Sequence, residues 1–302
     1  MKKVLVTGAS GFIGFPCLSH LLDRGYEVHG VYRSLIDAGD DRIRWHNADL
    51  LNPEETSTLI ETIQPTHLLH LAWFVVAGRQ DIREENMAWV KASLDLLFRF
   101  HEQGGRRVVM VGSGMEYDWG SGLCEEETTP IEPQNFYGVC KHSVHTTLKD
   151  FVKDEDLSYA WARPFFIYGP REDPKRLVSH VIRALLQKER APCSHGRQVR
   201  DYLFVDDVAS ALVALLDHDV EGAFNIGSSQ PLSLREVLRP AVERLGGEDL
   251  VRFGEIPSSP DEAPEVVAST EKIRNTIGWQ PRHTLEEGME KTIAWWRSHL
   301  PV

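Results

Sequence analysis

The feature that most constrains this sequence is VLVTGASGFIGFPCLSHLL at residues 4–22, where an apolar run passes through three glycines into a helical pattern. The three glycines, Gly8, Gly11 and Gly14, have the spacing GxxGxxG. Glycines here permit a tight turn, close packing of helix on strand, and close approach of the backbone to a pyrophosphate at the helix N-terminus. Directly after a first strand, the spacing predicts a dinucleotide-binding turn, provided that a βαβ pattern follows.

Strand and helix patterns do alternate in the following residues. KVLVT, EVHGV, RIRWHN, HLLHLA and RVVMVG predict strands, and helical patterns near residues 12–25, 54–63, 82–103 and 135–153 fall between or after most of them. Nearly continuous apolar runs are typical of strands that are buried on both faces of a sheet. The sequence therefore predicts the α/β class, with a Rossmann-type doubly wound parallel sheet.

The alternation ends after about residue 165. Proline and charge become frequent in PREDPKR and IPSSPDEAPE, and helices are expected near residues 233–245 and 284–298. We predict a dinucleotide-binding domain over residues 1–165, with residues 203–227 returning to it. Residues 166–302 then form mainly a smaller α/β substrate-binding region.

Composition argues against several classes of partner. The net charge of −12 offers no general basic field for nucleic acid, and no apolar stretch approaches the roughly 18 residues of a membrane span. The four cysteines form no CxxC pair, which favours reduced thiols in a cytoplasmic protein. The 13 histidines show no metal-ligand spacing, so no metal site is expected.

The end of the second predicted strand, VHGVYRS, bears on the choice of cofactor. An acidic residue at this place binds the ribose 2′-hydroxyl of NAD, whereas an arginine suits the 2′-phosphate of NADP. Tyr32 stands where the acid is expected, and Arg33 and Ser34 follow it. This chemistry favours NADP(H), with NAD(H) as the alternative, although an arginine at a strand end is also common without a ligand.

Two further segments offer groups for proton transfer. VGSGMEY places Ser113 after the fifth strand, and PQNFYGVCKHSVHTTLKDF places Tyr137 and Lys141 one helical turn apart. A phenol with a pKa near 10 exchanges protons poorly at neutral pH unless a nearby cation favours the phenolate. Alone, such a pair is common on helix surfaces, and Ser113 also fits an ordinary turn.

Taken in order, these segments resemble the extended short-chain dehydrogenase/reductase family of nucleotide-sugar epimerases, dehydratases and ketoreductases. The resemblance also rests on HNADL, HLLHLAW, EENMAWVKASLDLL, WARPFFIYGP, RDYLFVDDVASAL, FNIGSSQPLSLREV and TEKIRNTIGWQP. It implies that Ser113 binds the reacting oxygen, that Tyr137 moves its proton, and that Lys141 holds the ribose and tunes Tyr137. It also implies that Asn86 supports the site and that its helix pairs with the helix of Tyr137 in a homodimer.

The glycine turn, the VYRS strand end and the resemblance together give a set of residues for the dinucleotide. They are Gly8, Ser10, Gly11, Phe12, Ile13, Gly14, Arg33, Ser34, Asp49, Leu50, Leu71, Ala72, Trp73, Tyr137, Lys141 and Pro164. The residues expected to contact the substrate are Ser113, Met115, Phe166 and Arg200.

Missing groups narrow the reaction. Dehydratases of this family carry an acid pair after the catalytic threonine, where this chain has Gly114 and Met115; Glu116, one position later, is expected to be structural. Together with Arg33, this favours an NADPH-dependent reductase of a keto group on a nucleotide-linked (deoxy)sugar. The alternatives are an NAD-dependent C4 epimerase, a reductase of a small carbonyl compound, and an NADP(H)-sensing protein without catalysis.

Two departures from the family concern the substrate's diphosphate. Phe166 replaces a frequent asparagine, and Ser259 replaces an arginine that faces the diphosphate in the family. Arg200 is retained and is expected to hold a phosphate, whereas Arg171 and Arg197 are weaker candidates. If Phe166 and Trp73 form an apolar pocket, a smaller carbonyl substrate is favoured; Phe74 is expected in the core.

Overall fold

A seven-stranded parallel sheet dominates the computed structural model, which describes residues 2–34, 40–75, 82–258 and 262–300. The strands of these residues are β1 (Lys3–Thr7), β2 (Glu27–Tyr32), β3 (Arg44–Asn47), β4 (His67–His70), β5 (Arg107–Val111), β6 (Leu123–Cys124), β7 (Ser158–Pro164), β8 (Phe166–Tyr168), β9 (Ala191–Cys193), β10 (Val199–Arg200), β11 (Tyr202–Phe204), β12 (Gly222–Ile226), β13 (Leu232–Ser233), β14 (Val251–Phe253) and β15 (Glu265–Ala268).

The α-helices are α1 (Gly14–Asp23), α2 (Pro53–Ile63), α3 (Arg83–Glu102), α4 (Phe136–Phe151), α5 (Leu177–Gln187), α6 (Val205–Asp217), α7 (Leu234–Leu245), α8 (Glu271–Ile277) and α9 (Leu285–His299). Short 3₁₀ turns follow β5, α4 and α7. The ends of several helices match local sequence signals. Asn52 caps α2 before a proline, and α7 and α9 each begin with a capping box, at Ser233 and Thr284.

The strand order of the main sheet is β12-β7-β5-β4-β1-β2-β3, and all of its pairs are parallel. The chain runs outward from β1 through β2 to β3 and then returns to place β4 on the other side of β1. The carboxyl ends of β1 and β4 therefore flank a topological switch point, where ligands bind in sheets of this kind. The predicted α/β fold with a doubly wound parallel sheet is confirmed.

Helices cover both faces of this sheet. On one face α1 packs against α6, and nearly all side chains of α6 are buried. On the other face α3 packs against α2 and α4, around a second core that includes Leu96, Leu97 and Phe100. Two apolar layers around a buried sheet are what the continuous apolar strands require.

The C-terminal elements, together with β6, form smaller layers beside the main sheet. Strands β13, β10, β15 and β6 make a four-stranded sheet, and β8 with β11 and β9 with β14 make pairs. Helices α5, α7 and α9 pack around a third core that includes Met289, Ile293 and Trp296. Strand β12 pairs with β7 in the main sheet. The division into domains at residues 165, 203 and 227 stays a prediction.

Within the described ranges, no helix combines the length and the apolar character that crossing a bilayer requires.

Candidate active site

The glycine turn lies between the ends of β1 and β4. Gly8 has φ +66°, and its carbonyl accepts the Gly11 N–H at 2.9 Å. A Cβ on Gly8 would lie 2.9 Å from the backbone nitrogen of Ala72, and a Cβ on Gly14 would collide with the Gly8 carbonyl. Two of the three glycines are thus required by the turn itself, and Gly11 is exposed.

The N-terminus of α1 fits an anion. Ile13 occupies the N-cap position without a side-chain cap, and the first turn contains no acidic residue. Unpaired N–H groups and the helix dipole give this end a partial positive charge. Ser10 and Phe12 lie in the turn that leads to it, both partly exposed. These residues fit the pyrophosphate of a dinucleotide.

A buried histidine joins the ends of β1 and β4. The Thr7 hydroxyl accepts the N–H groups of Leu71 and Ala72 at 3.1 and 3.2 Å, and lies 2.7 Å from Nδ1 of His70. The other ring nitrogen of His70 lies 2.8 Å from the Ser93 hydroxyl. Burial, followed by the charge of Lys141, lowers the pKa of His70 to about 3, so the ring is neutral. This network holds Leu71 and Ala72 beside the glycine turn.

The residues expected near the adenosine end lie at the same edge of the sheet, because β2 and β3 follow β1 in strand order. Arg33 and Ser34 follow β2 and are exposed. Asp49 and the buried Leu50 follow β3, and the Asp49 carboxylate accepts the Leu51 N–H at 3.1 Å. Their contacts to a cofactor stay predictions.

Ser113 and Tyr137 meet at the end of β5. Ser113 is the N-cap of the short 3₁₀ helix Gly114–Glu116, and its hydroxyl accepts the Met115 N–H at 3.2 Å. Asn135 caps α4 and places Tyr137 in its first turn, where the phenol hydrogen-bonds the Ser113 side chain. Burial and then the charge of Glu116 raise the pKa of Tyr137, while the Ser113 hydrogen bond opposes them.

Lys141 lies one turn further along α4 and is also buried. Its Nζ donates to the Val111 carbonyl at 2.8 Å and stands 3.8 Å from the centroid of the Trp73 ring. Burial lowers the pKa of Lys141 to about 7, against the charge of Glu116. Trp73, expected at the cofactor, therefore stands beside the lysine, and its indole donates at 2.9 Å to the side chain of Asn86, which was expected to support the site.

Phe166 and Arg200, expected at the substrate, lie close together. The Arg200 guanidinium is 5.5 Å from the centroid of the Phe166 ring. Trp119 links them to the Ser113 turn, because its ring lies 6.2 Å from that of Phe166 and its Nε1 donates to the Gly114 carbonyl at 2.8 Å. The sequence patterns did not indicate Trp119, which precedes a turn and belongs to no recurring motif.

Arg200 is already paired within the chain. Its guanidinium contacts the Glu262 carboxylate at 3.0 Å, and Gln198 donates to the same carboxylate at 2.9 Å. Arg171 lies over the Phe15 ring, 3.7 Å from its centroid, and Arg197 is exposed. Ser259 lies outside the described residues. Of the other predicted site residues, Pro164 ends β7 and is buried, and Met115 accepts from the Asn135 amide at 3.3 Å.

A buried ion pair lies directly behind Ser113. The fully buried Glu116 carboxylate contacts Arg163 Nε at 3.0 Å and the Trp161 indole at 2.9 Å. Ligand atoms of Glu116, His142 and His145 lie within 4.8 Å of one another, which is the donor set of a metal site. Because Arg163 and Trp161 occupy the carboxylate, we assign this cluster to an ion pair. From the sequence, the only expectation about this cluster was that Glu116 is structural.

Comparison with known proteins identifies the family of this chain. Residues 4–227 match the model of the NAD dependent epimerase/dehydratase family. The chain belongs to this family. The resemblance noted in the sequence is thereby confirmed, and the protein is an enzyme of that family.

Similar proteins span nearly the whole chain. The UDP-glucose 4-epimerase of Mycolicibacterium smegmatis is 28% identical over 98% of this chain and 99% of its own. The dTDP-glucose 4,6-dehydratase of Neisseria gonorrhoeae is 26% identical over 98% and 95%. The UDP-glucose 4-epimerase of Thermus thermophilus, solved in complex with NAD, has a TM-score of 0.88 at 26% identity, covering 99% of this chain and 100% of that one.

Proposed function

We propose that this protein transfers hydride between a nicotinamide dinucleotide and a carbon of a nucleotide-linked sugar, as an NADPH-dependent reductase of a keto group. The observation that carries the proposal is the hydrogen bond between the Ser113 and Tyr137 side chains, with Lys141 one turn away and the glycine turn at the neighbouring switch point. Two hydroxyls at this place can polarise one carbonyl oxygen.

Each group has a role in this scheme. The bound dinucleotide supplies the hydride. The turn of Gly8 and Gly11 and the N-terminus of α1 hold its pyrophosphate, and Lys141 holds its ribose. Ser113 and Tyr137 donate hydrogen bonds to the ketone oxygen, and Tyr137 then gives up its proton. The raised pKa keeps the phenol protonated at neutral pH, and the Lys141 ammonium, 5.8 Å from the centroid of the Tyr137 ring, is the cation that can favour loss of its proton.

The neighbouring side chains argue against sugar dehydration. Gly114 and Met115 occupy the positions where an acid and a base would be needed, and neither can exchange a proton. Glu116 is turned inward and is bound by Arg163 and Trp161. Although the chain resembles a dTDP-glucose 4,6-dehydratase, its own residues support hydride transfer with a single proton carrier.

A C4 epimerase is the second candidate, and the likeness to two UDP-glucose 4-epimerases favours it. It would use the same three residues but retain its NAD and return the hydride to the sugar. The cofactor separates the two candidates, and Arg33 favours NADP(H). The Arg200–Glu262 pair and the aromatic contact of Trp119 with Phe166 favour a smaller carbonyl substrate as a further alternative.

The protein is also proposed to form a homodimer through α3 and α4. These helices pack on each other and leave Met87, Phe98 and Val139 exposed by 55%, 40% and 47%. Exposed apolar side chains on adjacent helices are typical of a protein–protein contact.

The first test is the cofactor. Purified protein is examined for retained dinucleotide and then titrated with NADPH and NADH by fluorescence. Next, NADPH oxidation is followed with 4-keto nucleotide sugars, and conversion of UDP-glucose is followed without added cofactor. NADPH preference with keto-dependent oxidation supports the reductase. Tightly retained NAD with epimerisation of UDP-glucose would replace it with the epimerase.

The variant Tyr137→Phe tests the catalytic assignment. It removes the proton carrier and keeps the ring, so turnover should fall by roughly 10²–10⁴-fold with cofactor affinity unchanged. Tyr159→Phe, a buried tyrosine in β7, is the matched control and should keep turnover. Normal turnover in Tyr137→Phe would refute the assignment, and inactivity of the native protein despite tight cofactor binding would favour the sensor alternative.

A further inference from the structure

Glu116 lies on the inner side of the segment that presents Ser113. Its Oε1 accepts the Ser113 backbone N–H at 2.9 Å, and the two residues form a capping box across the 3₁₀ helix. A Cβ on Gly112 would collide with the Glu116 carboxylate and the Trp161 indole, so the carboxylate packs directly against the backbone. Glu116 thus fixes the direction of the turn through hydrogen bonding and contact.

Lys141 holds the other end of the same segment. Its Nζ donates to the Val111 carbonyl at 2.8 Å, two residues before Ser113. The buried Glu116 and the buried Lys141 therefore bind the two ends of one three-residue segment, Val111 to Ser113. Both groups are buried, and in surroundings from which water is largely excluded charges act on each other strongly.

The charge state of Glu116 is set by its partners. Burial alone would raise the pKa of this carboxyl, but Arg163 most of all, then His142, His145 and the Ser113 N–H, bring it to about 2. Glu116 is therefore an anion at neutral pH. Its charge raises the pKa of Lys141 and of Tyr137.

We propose that Glu116 is a positioning residue of this site: its buried carboxylate, bound to the Ser113 N–H, aims the Ser113 hydroxyl through the backbone, and its negative charge favours the protonated form of Lys141 at the other end of the same segment. The inference rests on the proposed function, in which Tyr137 donates its proton within reach of the Glu116 charge. The other charged and titratable groups that face the cluster are Arg163 on β7, His142 and His145 on α4, His70 on β4, Arg176 before α5, and Tyr117 after the 3₁₀ helix.

The test follows Lys141 itself rather than turnover. Protein labelled with ¹³C at the lysine ε-carbon is titrated by NMR from pH 5 to 9, and the Lys141 signal is assigned by its loss in Lys141→Met. In Glu116→Gln, which is isosteric but uncharged, the titration midpoint should fall by about 1 pH unit. Glu116→Asp keeps the charge but shortens the reach to the Ser113 N–H. It should keep the midpoint and still lower turnover.

The outcomes separate the inference from the proposed function. If Glu116 is merely structural, both variants lose turnover while the midpoint of Lys141 stays unchanged. An unchanged midpoint in Glu116→Gln overturns the inference even if Tyr137→Phe is inactive. If no substrate is turned over, the midpoint still decides. Should Glu116→Gln fail to fold because Arg163 is left unpaired, the double variant Glu116→Gln/Arg163→Gln replaces it. It should show the same fall, because Glu116 is the charge acting on Lys141.

Discussion

Among single residues, Arg33 is the side chain that we predict decides between the two nicotinamide cofactors. It follows β2 at the edge beside the glycine turn and is exposed. A guanidinium there can bind a 2′-phosphate through charge-assisted hydrogen bonds, but gains little from a ribose hydroxyl.

We therefore expect Arg33→Ala to weaken NADPH binding by roughly 10–100-fold, the effect of losing one charged hydrogen bond. NADH binding should change little, because its ribose carries no phosphate. Arg42→Ala is the control, since Arg42 is also exposed but precedes β3, at the opposite edge of the sheet, and is paired with Asp40. Fluorescence titration of both cofactors measures the effect, and equal losses for NADPH and NADH would show that Arg33 does not read the phosphate.

The residues that sequence patterns identify are those whose spacing along the chain carries the signal. Tyr137 and Lys141 are one helical turn apart, and Ser113 follows a recognisable strand. The sequence patterns therefore predicted that these three residues belong to one site. Glu262 is 62 residues from its partner Arg200, and Arg163 is 47 residues from Glu116. No local pattern predicts such pairs, because tertiary packing alone creates them.

At the scale of elements, the β1–α1 unit shows how three glycines with one spacing have different tasks. Gly14 is buried against the Gly8 carbonyl, so it sets the distance between helix and strand. Gly11 is exposed, and a Cβ there would meet only the Gly8 carbonyl oxygen, at 3.1 Å. We predict that its task is to leave room for the ligand.

Two alanine variants should separate these tasks. Gly14→Ala should lower the free energy of unfolding by about 2–4 kcal/mol, because its Cβ collides with backbone that cannot move freely. Gly11→Ala should change it by less than about 1 kcal/mol, yet weaken dinucleotide binding at least about tenfold, because its Cβ stands where the pyrophosphate approaches. Urea unfolding and cofactor titration give both quantities. Unimpaired binding in Gly11→Ala would place the phosphates elsewhere.

The elements themselves were largely predictable from sequence, and the small sheets were not. Strands β1 to β5 lie at the five runs that predicted strands, and α1, α2, α3, α4, α7 and α9 each begin near the predicted residue. Helices α5, α6 and α8 were not predicted. By contrast, β6, β10 and β13 are two residues long. Strands of this length show no periodicity, and they form because the loops that carry them are brought side by side by the larger elements.

At the scale of the whole molecule, Glu172 ties the loop after β8 to α5 and α9. Its carboxylate accepts the Ser179 hydroxyl at 2.7 Å, and that hydroxyl lies 3.2 Å from the Trp296 indole nitrogen, which donates to it. Burial raises the pKa of Glu172 from 4.5 to about 7, against the opposing effects of Ser179 and Arg176. The loop after β8, α5 and α9 are thus linked in the third core through the Glu172 carboxyl, which changes its charge near neutral pH.

This predicts a pH-dependent stability. Between pH 4.5 and about 7 the folded protein binds a proton at Glu172 that the unfolded chain has released, so this residue's contribution to stability falls as pH rises and its loss is complete above pH 7. Glu172→Gln keeps an acceptor for Ser179 without the charge. By urea unfolding it should exceed the native protein by on the order of 2–3 kcal/mol at pH 8 and match it near pH 4.5. Glu189→Gln, exposed just beyond the other end of α5, should show no such difference. A gain for Glu172→Gln that is equal at both pH values would mean that Glu172 does not ionise in this range.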